Sequence, residues 1–321
     1  MGKTGKTGYF SHRDFWKHEM GAGHPECPDR LDAIKDRLLT TGLGDALEHL
    51  DAPLATLTQI LRAHSERHVE HLEALTQRLI ADVSVAGPSH AHVDPDTSLN
   101  RFTMLAARRA AGAVIAATDA VMAGQVDNAF CAVRPPGHHA CREQAMGFCF
   151  FNNIAMAARH ALEHHGLERV AVIDFDVHHG NGTEDILAGD PRVLMVGIFQ
   201  HPLYPNSGTE NPASNMLNLP VPAYTKGMDV RELVELMWMP RLEDFAPQMI
   251  FISAGFDAHR DDDLGQLNLN ENDFAWITGR ICDIANRYAG GRIVSTLEGG
   301  YNLDALARSV ETHIRVLADL D

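Results

Sequence analysis

Val170-Ala171-Val172-Ile173-Asp174-Phe175-Asp176-Val177-His178-His179-Gly180-Asn181-Gly182 is a short apolar run that breaks off into titratable side chains. Side chains of a strand alternate between its two faces, so Asp174, Asp176 and His178 are expected on one face. A buried strand does not carry three such groups for packing. Desolvated charges must be paired or must hold a metal, and the residue types and spacing make a metal site the first expectation. The plain alternative is a strand end whose Asp and His only bond turn amides.

Four further apolar runs end the same way. Asn128–Val133 leads into Arg134-Pro135-Pro136-Gly137-His138-His139, and Val193–Phe199 leads into Gln200-His201-Pro202-Leu203-Tyr204-Pro205-Asn206-Ser207-Gly208-Thr209. Met249–Ser253 precedes Ala254-Gly255-Phe256-Asp257-Ala258-His259, and Ile293–Leu297 precedes Glu298-Gly299-Gly300-Tyr301. Apolar periodicity and composition predict helices over about 29–40, 57–82, 101–124, 152–165, 228–245 and 271–289, with a polar loop over 84–100. Strands alternating with helices predict an α/β domain with a mostly parallel sheet covered on both faces. Open sheets of this kind bind ligands beyond the carboxyl ends of their strands. The five run ends therefore place histidines, aspartates and a tyrosine on one rim.

The 321 residues, 45% hydrophobic and 22% charged, suffice for a large core, and with no internal repeat or long linker a single domain over 1–321 is the simplest reading. The start, MGKTGKTG, lacks the strand and upstream glycine of a phosphate loop, so residues 1–8 are expected to be a frayed start. No run approaches the roughly 18 apolar residues of a membrane span, and no secretory signal is apparent. Five cysteines without a Cys-x-x-Cys fit buried thiols in a reducing cytoplasm better than a disulfide framework. A net charge of −16 argues against nucleic acid as a direct partner and suits a cationic or lysine-bearing substrate.

Asp176, His178 and Asp257 make a two-carboxylate, one-imidazole set. Three protein ligands leave a position open for water and substrate. The set suits Zn²⁺, with Fe²⁺, Co²⁺ or Mn²⁺ as competitors. His138 and His139 follow two prolines and a glycine, and adjacent imidazoles in a stiff loop suit proton transfer. Asp174 and Asn181 are candidates to orient them. The Tyr301 phenol is placed to hydrogen-bond a developing oxyanion. In Gly147-Phe148-Cys149-Phe150-Phe151-Asn152-Asn153 most aromatics belong in the core, one is available to wall a channel, and an asparagine caps the helix that follows.

These segments, RPPGHH (134–139), GFCFFNN (147–153), DFDVHHGNGT (174–183), SAGFDAH (253–259) and LEGGY (297–301), resemble the histone deacetylase family of the arginase–deacetylase superfamily. GHPECPDR (23–30) resembles that family's amino-terminal loop, and the likeness runs in order from about residue 8 to the carboxyl terminus. The resemblance implies a single α/β domain built on an eight-stranded parallel sheet, and a zinc-dependent deacetylase. It implies Zn²⁺ on Asp176, His178 and Asp257, His138 paired with Asp174, His139 paired with Asn181, and Tyr301 as the phenol that polarises the carbonyl. Phe148 and Tyr204 match the channel aromatics, with Gly147 and Gly299 lining the channel near an acyl-lysine. K⁺ is implied near the metal, on Asp174, Asp176 and His178 with carbonyls around Gly197 and Ile198.

Asn181 resembles the class II-like branch, close to bacterial deacetylase-like amidohydrolases. Polyamine-specific members carry a glutamate gatekeeper after the third ligand, where Leu264 is the nearest match here. The implied substrates are acylated lysine peptides or proteins, with acylated polyamines, other small amides or esters as the rival class. No membrane partner is implied, and a homodimer or homotetramer is compatible with the sequence.

Overall fold

A computed structural model describes residues 5–81 and 90–320, arranged around one eight-stranded, wholly parallel sheet. The strands are β1 (Thr7–Ser11), β2 (Glu48–Asp51), β5 (Asn128–Cys131), β6 (Val170–Asp174), β7 (Val193–Gln200), β8 (Met216–Val221), β9 (Met249–Ala254) and β10 (Ile293–Leu297); β3 (Ala91–His92) and β4 (Ser98–Leu99) form a separate small hairpin. The sheet order is β2-β1-β5-β10-β9-β6-β7-β8. The five runs recognised in sequence are the five central neighbours. Four of them are buried at nearly every position, and they read as continuous apolar runs because both sheet faces are covered.

Of the three strands that periodicity did not reveal, β2 and β8 are the two edges, and β1 lies between β2 and β5. β2 alternates half-buried and exposed residues over only four positions, and β8 carries Asn218 and Pro220. A short, polar or proline-bearing strand is what an edge tolerates. Of the expected frayed start, residues 1–4 lie outside the described residues, whereas Thr7 and Gly8 belong to β1 and pair with β5.

The helices are α1 (Asp29–Thr40), α2 (Leu57–Ile60), α3 (Glu66–Ala81), α4 (Thr103–Met122), α5 (Asn153–Glu163), α6 (Asn181–Leu187), α7 (Gly227–Leu233), α8 (Met239–Phe245), α9 (Glu271–Tyr288) and α10 (Leu303–Leu317). The segment 57–82 divides into α2 and α3, because Thr56 and Gln59 build a capping box for one turn before the chain turns at 61–65. The segment 228–245 is α7 and α8 joined by a π-turn at Val234–Trp238. The predicted loop over 84–100 contains the β3–β4 hairpin; its residues up to 89 lie outside the described residues. Among the described residues no helix is long and apolar enough to cross a membrane.

Candidate active site

The carboxyl ends of β5, β6, β7, β9 and β10 deliver the polar segments to one rim. In-register pairing sets Asp174 of β6 level with Gly197 of β7 and Ser253 of β9. β6 ends at Asp174, so Asp176 and His178 lie in the following loop and not on the strand face expected from alternation. The carboxylates themselves bend the chain: Asp174 Oδ1 accepts from the Asp176 N–H (3.0 Å), and Asp176 Oδ1 from the His178 N–H (2.9 Å). Each bond spans two residues, the pattern by which Asp forms a turn in place of a ladder.

That turn aims Asp176 and His178 at Asp257, which follows β9. One ligand atom from each of the three residues lies within 4.8 Å of the others. His178 Nδ1 is 3.0 Å from Asp176 Oδ1 and 3.2 Å from Asp257 Oδ2. The other oxygens are anchored: Val177 N–H donates to Asp257 Oδ1 (3.0 Å), and Gly299 N–H to Asp176 Oδ2 (2.8 Å). Asp257 Oδ2 is buried with no hydrogen bond.

Burial works against a charged His178, yet the hydrogen bond to Asp176 and the charges of Asp176 and Asp257 prevail and push it up to about 10. Burial and the Asp176 charge push Asp257 up to about 6. Two buried carboxylates around an orphaned oxygen thus call for a positive charge, and the donor set fits a divalent ion with an open position. Gly299 and Gly255 pack directly behind it. A Cβ on Gly299 would collide with Asp257 and Asp176, and one on Gly255 with Asp176.

His138 and His139 stand beside this cluster with ring centroids 4.0 Å apart. His138 Nδ1 is 2.9 Å from Asp174 Oδ2, and His139 Nδ1 is 2.7 Å from Asn181 Oδ1. Asn181 turns its amide nitrogen to the sulfurs of Cys141 and Met146, so its oxygen can only accept, and His139 Nδ1 carries the proton. That tautomer leaves the His139 Nε2 lone pair free. Burial, then the neighbouring His138 and His178 charges, hold His139 well below the usual histidine value. Burial opposes a charged His138 too, but Asp176 and Asp174 outweigh it and hold His138 well above.

The two histidines diverge because one faces carboxylates and the other an amide. Asn152 caps α5 through Ala155 N–H and donates to Ala140 O (3.1 Å), tying the histidine loop to a helix end.

Above the cluster opens a cavity of about 210 Å³ lined by His139, Gly147, Phe148, His178, Tyr204, Leu264 and Tyr301, together with Leu203 and Asp96. Phe148 meets Tyr301 edge-on at 5.9 Å, and Tyr204 meets His139 edge-on at 5.2 Å. Every channel residue expected from sequence is there except Gly299, which is not among the lining residues and closes the back of the carboxylate pair. Gly147, at φ 55°, has no room for a side chain against the His139 ring. Burial pushes the Tyr301 phenol well above its usual value, so it remains a donor.

Several residues had no sequence-level assignment. Asp96 and Leu203 line the cavity, and Thr97 Oγ1 accepts from Phe148 N–H (3.0 Å). Asp262 Oδ2 accepts from the N–H groups of Tyr301 (2.6 Å) and Asn302 (3.0 Å), while its Oδ1 accepts from Leu264 N–H (3.0 Å). Glu298 accepts from the N–H groups of Gly137 (2.6 Å) and His138 (3.1 Å) and from Ser253 Oγ (3.1 Å).

Deeper still, Glu26 binds both Arg30 and Arg134, all three fully buried. Arg30 donates to the carbonyls of Gly300 (2.7 Å) and Glu298 and lies 4.9 Å over the Tyr301 ring. The GHPECPDR segment carries two of these three charges, but nothing in its composition says that they are interior. Replacing Arg30 with Met strips two buried carbonyls and part of the Glu26 charge of their partner. It is expected to cost about 3–5 kcal/mol, read as a lowered Tm.

A family model described as a histone deacetylase domain matches residues 24–317. The chain is 39% identical over 288 residues to a histone deacetylase-like amidohydrolase of Pseudomonas aeruginosa, covering 88% of this chain and 73% of that protein. It is 34% identical over 306 residues to a probable deacetylase of Archaeoglobus fulgidus, covering 93% and 82%. Among solved structures, the HDA15 HD domain superposes with a TM-score of 0.89 at 32% identity, covering 98% of this chain and 90% of that one.

Proposed function

The chain belongs to the histone deacetylase family, and from that premise we propose that it is a zinc-dependent amidohydrolase that removes acetyl or other short acyl groups from acylated lysine side chains. The observation that carries this reading is the cavity that gathers His139, His178 and Tyr301 between two aromatic walls. A cavity of about 210 Å³ lined by Phe148 and Tyr204 suits a linear acylated amine, with the amide next to His178 and Tyr301. Bound to Asp176, His178 and Asp257, a divalent cation supplies Lewis acidity and makes water nucleophilic near neutral pH.

The chain's own residues do the rest. The Tyr301 hydroxyl donates to the acyl oxygen as negative charge builds there. His139 Nε2 takes a proton from the attacking water and returns it to the leaving nitrogen, with Asn181 holding the tautomer. His138, hydrogen-bonded to Asp174, supplies a fixed positive edge beside the reacting centre. Phe148 and Tyr204 exclude bulk water and grip the alkyl stem. We assign K⁺ to Asp174, Asp176 and His178 with the carbonyls of Gly197 and Ile198, a reading supported by the in-register pairing of Asp174 with Gly197.

Leu264 presents an apolar wall where a carboxylate would hold the second ammonium of a polyamine, which favours acyl-lysine over acetylpolyamine. At the mouth, burial and the Asp94 carboxylate push Asp96 up to about 6. Once ionised, Asp96 is a charged and therefore stronger acceptor for substrate N–H groups, so KM for a peptide substrate is expected to fall as pH rises through about 6. Steady-state profiles of Asp96→Asn should lose that inflection; a retained inflection would assign it to another group.

The test of the function is a hydrolysis panel on metal-stripped and zinc-loaded protein, comparing acetyl-lysine peptides, acetylpolyamines and small esters. Chelation should abolish amide hydrolysis, zinc should restore it, and the peptides should turn over fastest. Zinc at full occupancy without amide cleavage would remove the proposal, and a preference for acetylpolyamines would replace its substrate.

A further inference from the structure

Among the described residues, two clusters bring three or more His, Cys, Asp or Glu donor atoms within 4.8 Å of one another. One is the site above. The other comprises Asp119 of α4 with His160, His164 and His165 at the end of α5, and no step of the reaction uses it.

The arrangement follows from the helix end. His160 and His164 are four residues apart and share a face, with rings stacked at 4.7 Å between centroids. His164 caps the carboxyl end of α5, its N–H still bonded to His160 O (2.8 Å). The chain then turns through Gly166 at φ 68°, which folds His165 back, edge-on to both other rings at 5.3 and 4.9 Å. Across the helix pair, Asp119 Oδ1 lies 2.6 Å from His160 Nε2 and 2.7 Å from His165 Nε2. His160 is almost wholly buried, while His164 is exposed and Asp119 and His165 are partly so; the cluster has an anchored floor and an open side.

From this geometry we propose a second metal site, a closed three-imidazole, one-carboxylate set that binds a borderline divalent transition ion such as Zn²⁺. Four protein donors fill a tetrahedron and leave no open position, so the ion crosslinks α4 to α5 and takes no part in catalysis. Imidazole-rich sets select Zn²⁺, Ni²⁺ and Cu²⁺ over Mg²⁺ and Ca²⁺. Binding replaces two short N–H···O bonds by coordination, and the proton of each imidazole moves to its other ring nitrogen. Arg62 shapes the site: its Nη1 lies 2.7 Å from His160 Nδ1 and its Nε 3.3 Å from Glu163 Oε2. Once His160 Nε2 is on the ion, its Nδ1 carries the proton, and the Arg62 guanidinium shifts wholly onto Glu163.

The experiment is zinc stoichiometry by equilibrium dialysis of the untagged full chain, with thermal unfolding measured alongside. Wild type should bind two Zn²⁺ per chain. The double variant His164→Ala/His165→Ala should bind one, with zinc-loaded deacylation unchanged. Asp257→Asn should lose the other ion and still show a zinc-induced rise in Tm, which disappears when the three substitutions are combined. One ion per wild-type chain, or a second ion that survives the double substitution, would overturn the proposal, whatever the outcome of the hydrolysis panel.

Discussion

Tyr301→Phe is expected to lower kcat by about 10²–10³-fold while the zinc content stays at the wild-type level. The substitution removes one hydroxyl and nothing else. The turn that carries the ring is held from elsewhere, by Asp262 on the Tyr301 and Asn302 N–H groups and by Arg30 on the Gly300 carbonyl, so the phenylalanine ring should occupy the same place. The contacts with Phe148 and the Arg30 guanidinium are made by the ring and survive. If the phenol donates only as charge develops on the acyl oxygen, the loss appears in kcat with KM little changed. A variant with wild-type turnover would strip Tyr301 of its role. One that had also lost zinc would show that the substitution disturbed the carboxylate pair and would leave the phenol's assignment refuted as the cause.

Asp257→Asn is expected to do the reverse: the bound ion and the activity disappear together, while the metal-free protein keeps or gains stability. The amide oxygen can still accept from Val177 N–H, so the backbone anchor is retained. What is lost is one of two buried negative charges, including an oxygen that has no hydrogen bond of its own. Removing a like charge from a desolvated pair relieves repulsion in the metal-free fold and removes the ligand field in the loaded one. The activity loss should exceed the roughly 10–100-fold typical of residues that only orient a ligand. Metal analysis and Tm with and without zinc check both halves. A variant that binds the active-site ion as wild type does would exclude Asp257 from the ligand set.

The central sheet and most of the rim were legible because both are written locally. β6, β7, β9 and β10 are buried on both faces, so each appears as an apolar run, and each delivers its polar segment within a few residues of its carboxyl end. The edges were not legible. β2 is four half-buried residues, and β8 carries a proline that only an edge strand can accept, so neither has the pattern of a buried strand. Alternation along the β6 run placed Asp176 and His178 on a strand face, but the Asp side chains captured the next N–H groups and turned the chain out of the sheet. Side-chain competition for backbone donors overrides periodicity over so short a distance.

Sequence by itself determined the residue types at the strand ends and the resemblance they carry: two carboxylates, two adjacent imidazoles, a phenol after two glycines, and the α/β alternation that puts them on one rim. The resemblance also implied the partners of His138 and His139; only the tertiary structure decided the remaining meetings. The burial of Glu26, Arg30 and Arg134 behind Tyr301 and the meeting of Asp119 with His160, His164 and His165 join residues 41 to 270 positions apart. Contacts of that separation come from strand order and helix packing. Those are settled by burying apolar surface across the whole domain, and no local pattern records them.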